Sequence, residues 1–303
     1  MHKDSAHRPG TGEAGNFGRT ADKILADRRF NPFLPFVPES WLGAQELDFL
    51  DPQDLHLLNH IRAFSYIHML GNYKDLVARH VAGIAAALNS AEPSTLRTLF
   101  HFCEEEMLYQ QMFAQAEQLM QESCATQFGR YFDARKHKLN SLAGEIMGFP
   151  ALPRAMILQA LEWSTQRHFR ESVLLGDASP TDPLFADLLK IHWVDENQVK
   201  IKELEVGQLA KGLTPRQVSL AFDDVLAIAS LIGETFVGQV EEEIATLQRE
   251  AFEAYTDEQL QLLRKALLRS MERLWAEVAL NHPDFHRMAR ELSPEGAAKL
   301  GIH

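Results

Sequence analysis

Apolar residues recur at steps of three and four through nearly all of the chain beyond residue 50. That is the period of amphipathic helices, and no stretch of any length alternates as a half-buried strand does. The pattern predicts an all-α protein with seven helices. The first spans about 52–88, with Asp51 as N-cap, Pro52 at the first helical position and a bend near Gly71. The second spans about 95–123, opened by Ser94 after Pro93. A short third covers about 133–147, and a fourth about 153–175. The fifth, about 183–211, is entered from the turn Ser179-Pro180-Thr181-Asp182 and stopped by Gly212. The sixth starts at Thr214-Pro215 and reaches about 254. The seventh covers about 257–279 behind Thr256, and Asn281-His282-Pro283 breaks into a short tail. Long helices joined by short loops favour antiparallel neighbours in a bundle.

Residues 1–30 are aperiodic and contain Gly, His and Arg, so they read as a flexible tail. Residues 31–38 (NPFLPFVP) form a Pro-broken apolar strap laid across the fold. Residues 31–303 then make one helical domain.

Several apolar stripes are interrupted by polar residues. On the second helix the stripe runs Leu99, Phe102, Glu106, Tyr109, Phe113, Ala116, Met120. A carboxylate in its middle costs several kcal/mol unless it is paired, protonated or on a metal. Glu104 and Glu105 beside it read as solvated residues. On the fourth helix Glu162 interrupts Leu158, Thr165, Phe169 and Ser172, and His168 falls off that face, which places it behind the ligand positions or at the surface. On the fifth, His192 and Glu196 stand one turn apart on the face of Phe185, Leu189, Val199, Glu203 and Val206. On the first, Phe64, Ile67, Gly71, Lys74 and Ala78 share a face, which turns Lys74 inward unless it snorkels out. His60 and His68 read as packing or hydrogen-bonding residues.

Charge and composition narrow the partners. A formal net charge of −12 is the wrong sign for nucleic acid or anionic lipid. Two cysteines, Cys103 and Cys124, make neither a disulfide framework nor a cysteine zinc site. No secretory signal is present and no apolar run reaches the ~20 residues of a membrane span, so a soluble, cytoplasmic protein is expected.

Taken with their spacing, these residues resemble the ferritin-like di-iron superfamily, in the branch of p-aminobenzoate N-oxygenase-like enzymes. That branch has His-x-x-x-Glu-x-x-His on its last core helix. Here His192 and Glu196 match its first two members, and Val199 stands in place of the final histidine. The family's Glu-Glu-x-x-His resembles Glu105-Glu106-Met107-Leu108-Tyr109, with Tyr109 for histidine. Its lone third-helix glutamate matches Glu162. Its first-helix glutamate falls at Lys74, or at Asp75 if the register slips by one. The resemblance covers about residues 50–210 and implies a ferritin-like four-helix bundle core with additional C-terminal helices over 214–280. It also implies that the losses are uneven. One iron position keeps only Glu106, beside Lys74 and Tyr109, while the other keeps Glu162, His192 and Glu196.

Three outcomes stay open. No metal binds, and Lys74 neutralises part of the Glu106, Glu162 and Glu196 cluster. Or one Fe or Mn ion binds Glu162, His192 and Glu196. Or a di-iron centre survives on Asp75 and Tyr109, the least favoured of the three. The expected function is a diverged bundle that binds a small molecule or a protein partner. The rival is a non-haem, metal-dependent oxygenase or oxidase of a small organic substrate, with Tyr109 as catalytic electron or proton donor. Iron storage is disfavoured, because ferroxidase chemistry prefers two irons. Val225, Ile228, Leu231 and Ile232, with Leu260, Leu263, Leu267 and Met271, are expected to cover the core rather than form a homodimer face.

Overall fold

The computed structural model describes residues 25–44, 47–87, 93–124, 141–169, 181–194, 206–251 and 254–303. Its regular elements are helices, with no strand among the described residues. We number the main ones α1 (Pro52–Ala87), α2 (Pro93–Ser123), α3 (Ala151–Phe169), α4 (Pro183–Val194), α5 (Pro215–Glu250), α6 (Asp257–Met271), α7 (Pro283–Leu292) and α8 (Pro294–Lys299). Shorter helical stretches lie at 141–147 and 206–211. Residues 133–140, 170–175 and 195–205, read above as helix, lie outside the described residues.

Helix starts follow the capping chemistry written in the chain. The Asp51 carboxylate accepts from the backbone N–H of Gln53 (2.7 Å) and Asp54 (2.8 Å). Asp182 does the same for Leu184 (2.8 Å) and Phe185 (3.0 Å). Thr214 with Gln217, and Thr256 with Gln259, form reciprocal capping boxes. Each such cap satisfies N–H groups that have no partner inside the helix.

The expected tail after Asn281 is instead two further helices. His282 caps α7 through the Asp284 N–H, and Ser293 caps α8 through the Gly296 N–H. Phe285, Ala289, Ala297 and Ile302 are buried there. Gly296 permits the contact, since a Cβ at that position would sit 2.3 Å from the Phe222 ring. Residues 25–30 also depart from the tail expected over 1–30. Leu25 and Phe30 are buried, and Arg28 pairs with Asp187 at 2.8 Å.

Two apolar clusters fill the molecule. One joins the strap, the first half of α1, α2, α4 and α6, including Phe36, Phe64, Phe113, Phe185 and Leu267. The other joins the second half of α1, α3, α5 and the C-terminal helices, including Val77, Met156, Phe222, Val225 and Phe285. Val225, Ile228, Leu263, Leu267 and Met271 are buried as the stripes predict, whereas Leu231, Ile232 and Leu260 are half-buried. Crossing this core is a buried ion pair, Arg62–Glu243, at 2.9 Å. Burial pulls the Arg62 guanidinium below its ordinary value, and the Glu243 charge opposes that fall.

The strap is held by α1. Asn59 accepts from the N–H of Phe36 (2.7 Å) and Val37 (3.2 Å) and donates to the Val37 carbonyl (2.7 Å). The Asp182 N–H donates to the Pro35 carbonyl at 2.8 Å, and the Asn31 N–H donates to the Asp182 carboxylate at 2.8 Å. His60 bonds to the Leu34 carbonyl (2.9 Å) and stacks on Phe36 (4.1 Å between centroids). It therefore packs and hydrogen-bonds, as does His68, 3.0 Å from Glu117.

Between α6 and residue 280 the helix widens into a π-turn, Glu272–Glu277. Two α3 side chains meet the carbonyls there. The Ser164 hydroxyl lies 3.3 Å from both the Trp275 and the Ala160 carbonyls, with one proton to give between them, and His168 donates to Leu274 (2.5 Å).

Asn59→Ala leaves three buried backbone groups without their partner. It is expected to cost at least ~1–3 kcal/mol in urea unfolding, with the strap becoming the first site of proteolysis. Unchanged stability would mean that the strap is not held by this residue.

Candidate functional site

Lys74, Glu106 and Glu162 come from three helices, α1, α2 and α3, and meet in the interior. Lys74 and Glu106 are wholly buried and Glu162 is 1% exposed. The Lys74 Nζ lies 3.0 Å from Glu106 Oε2, 3.3 Å from Glu106 Oε1 and 3.6 Å from Glu162 Oε2. At the register position weighed against it, Asp75 pairs instead with Arg79 at 2.7 Å, at the surface.

Two tyrosines complete the cluster. Nζ stands 4.9 Å from the Tyr109 ring centroid and 5.4 Å from that of Tyr73, within the range where a ring face attracts a cation. The Tyr73 hydroxyl lies 2.8 Å from Glu162 Oε2 and 2.9 Å from the Leu158 carbonyl, with one proton to give between them. The Tyr109 hydroxyl donates to the Ile191 carbonyl at 3.4 Å.

The electrostatics follow from burial against pairing. Burial pulls the Lys74 ammonium down, but the Glu106 and Glu162 charges and their hydrogen bonds outweigh it and hold it above the ordinary lysine value. Burial pushes the Tyr73 phenol well up, and the nearby Glu162 and Glu106 charges push it further. Tyr73 thus stays a donor, and Lys74 stays a cation. One ammonium faces two carboxylates; the Tyr73 hydroxyl lies in hydrogen-bond reach of Glu162, and the two ring faces favour the cation.

The structure brings Lys74, Tyr109, Glu106 and Glu162 together. The side chain of His192, with Glu196 and Val199, lies outside the described residues. Among those that are described, no group of three or more His, Cys, Asp or Glu side chains is placed to hold a metal ion. His168 is not at the surface. It is 1% exposed, with Nδ1 2.7 Å from the Tyr66 hydroxyl. Because the Leu274 carbonyl can only accept, Nε2 holds the ring proton and Tyr66 donates to Nδ1. Burial lowers His168 to about 4, which keeps the ring neutral.

Tyr73 is the member that the apolar pattern does not mark. It stands about 100° round the helix from Lys74 and reads there as one more apolar residue. Its ring also lines an apolar pocket of about 80 Å³, with Met69, Leu76, Ile146, Phe236 and Trp275. Tyr73 therefore joins that pocket to Glu162.

No protein-family model, curated protein or solved structure matches the chain.

Lys74→Met leaves two buried carboxylates facing each other and is expected to cost ~3–5 kcal/mol. The deficit should shrink in acid, where carboxylates take up protons. In the unaltered protein the lysine value is raised on folding. The pairing therefore contributes fully below the ordinary value of 10.5 and is lost as pH climbs through the raised one. Denaturant midpoints across pH check both signs. A variant as stable as the parent at neutral pH would refute the pairing.

Proposed function

We propose that the protein is a diverged ferritin-like bundle in which a lysine has taken the place of metal, and that it serves as a scaffold for binding a small molecule. One observation carries this reading. The Lys74 ammonium is 3.0 Å from Glu106 and 3.6 Å from Glu162, at positions where the resemblance implies metal ligands. A divalent cation needs those carboxylate oxygens and would have to sit beside a buried ammonium. Like charges at that separation repel strongly in a low-dielectric interior. Glu106 and Glu162 thus fit an internal cation better than a metal, and a di-iron centre fits least. The apolar pocket beside Tyr73 is concave and edged by few polar groups, which supports a small-molecule ligand over a protein partner, and its volume of about 80 Å³ restricts that ligand to a few heavy atoms unless the walls part.

The rival oxygenase reading draws on the asymmetry of the same contacts. Lys74 lies closer to Glu106 than to Glu162, so a single Fe or Mn ion would have to draw on Glu162 with His192 and Glu196. Tyr109 then stands as the electron or proton donor. In that case the metal would bind dioxygen, while the chain would supply ligands and a dry, aromatic wall.

Anaerobic loading with Fe(II) or Mn(II), desalting and metal analysis separate the two. Only trace metal is expected to remain. Retention of about one equivalent, lost in Glu162→Ala, would sink the metal-free reading in favour of the rival. Two equivalents would overturn both.

A further inference from the structure

A pocket roomier than the one beside Tyr73 lies away from the lysine cluster, at the end of α3 and against the π-turn. It has a volume of about 370 Å³. The segment Glu39–Trp41, the end of α3 and the π-turn wall it in, through Ser40, Trp41, Arg167, His168, Arg273 and Asn281. Among the described residues, Glu277 is its one acidic lining residue. Two guanidinium groups, Arg273 and Arg167, thus line the pocket in a chain whose formal charge is −12, and Arg167 has further contacts of its own.

The local electrostatics agree. The Arg167 charge acts on both His168 and His282. It adds to the burial that lowers each ring, so neither offers a competing cation.

The π-turn is what aims these groups. Its wider coil directs Arg273, Leu274 and Glu277 to this pocket, while Trp275 and Ala276 line apolar pockets on the other side. Its carbonyls at Leu274 and Trp275 are already met by His168 and Ser164. π-turns of this kind often mark functional positions. The facing wall is fixed too. The Ser270 hydroxyl bonds to the Trp41 carbonyl. Gly43, at φ +62°, lets the chain pass so close that a Cβ there would lie 3.2 Å from an Arg273 guanidinium nitrogen. Donor groups on both walls remain uncommitted: among the described residues, the Arg273 guanidinium and the side chains of Ser40 and Asn281 make no hydrogen bond or ion pair.

We propose that this pocket is a binding site for a small oxyanion, a carboxylate or a phosphate ester, gripped by Arg273 and Arg167 and oriented by Ser40 and Asn281. A planar guanidinium presents paired N–H groups that match two oxygens of such an anion. The buried side chains of His168 and Trp41 close the floor, and the His168 ring is neutral. The site is separate from the lysine cluster and does not depend on whether that cluster binds metal.

Calorimetric titration of the full chain with benzoate and with inorganic phosphate tests the site, with tetramethylammonium as the control of opposite charge. Saturable anion binding that weakens with added salt is expected, and none for the cation. Arg273→Gln should weaken it about tenfold or more, Arg273→Lys less, and Glu277→Gln should tighten it. These residues are exposed, so folding is expected to survive, and unfolding midpoints verify it. The Arg273 Nε–H resonance, identified by its loss in Arg273→Gln, should move on binding. Tighter benzoate binding assigns a carboxylate ligand, and tighter phosphate binding assigns a phosphate ester. No saturable binding of either anion overturns the proposal. So does binding that is unchanged in Arg273→Gln and Glu277→Gln.

Discussion

The Lys74 ammonium between Glu106 and Glu162 is the contact on which the interior depends. Three helices each deliver one charge to a place closed to water. None of the three could stay there alone, because an isolated buried charge costs several kcal/mol even after relaxation. Together they are worth little net stability compared with a well-packed apolar trio of the same volume. Their effect is on register. Sliding α1 by one residue would bring Tyr73 or Asp75 to the carboxylates, and an aspartate there would add a third negative charge. The pairing therefore fixes α1 against α2 and α3 more sharply than apolar packing does, since apolar surfaces tolerate sliding.

Location makes that constraint matter. The cluster sits at the seam between the two apolar clusters. Leu70, Tyr109 and Phe113 belong to one, and Tyr73, Val77 and Phe102 belong to the other. The first is closed by the strap and α6, the second by α5 and the C-terminal helices. Arg62–Glu243 repeats the device elsewhere, linking α1 to α5 across the core. Each half of α1 thus has its own ionic clasp to a different partner helix.

How much of this could be read beforehand depended on the kind of signal. Helix starts were legible because caps are local: Asp51, Thr214 and Thr256 need only their next three residues. Glu106 and Glu162 were legible as carboxylates inside apolar stripes. The same signal stands at Glu243, one turn from Val240 and Leu247, yet its arginine partner lies on a distant helix and no local pattern points to it. Tyr73 and the Tyr66–His168 bond were hidden for a related reason. A tyrosine in an apolar run looks like core, and where its hydroxyl goes is decided by a neighbour more than eighty residues away. The helices α7 and α8 were missed because Asn281-His282-Pro283 reads as a break. In the fold the same residues are a cap and a first turn. The ferritin-like likeness and the ligand roles rest on resemblance rather than on anything periodic, and His192, Glu196 and Val199 lie outside the described residues.

The charged groups of the interior bear on where chemistry can happen. At the centre they and several of their polar neighbours are answered by another side chain or a carbonyl: Lys74 by two glutamates, Arg62 by Glu243, Tyr66 by His168, and Asn59 by the strap. Charges paired in this way have little affinity left for a charged ligand, because any ligand must first displace an internal partner. The π-turn pocket is built the other way. Its backbone carbonyls are met from behind by Ser164 and His168, while Arg273, Ser40 and Asn281 have no side-chain partner among the described residues. Satisfied backbone behind uncommitted side chains is a pre-organised arrangement, since nothing need be broken for a ligand to enter. Polar recognition is thus cheapest at the edge of α3, and the centre of the bundle is left to hold the helices in register.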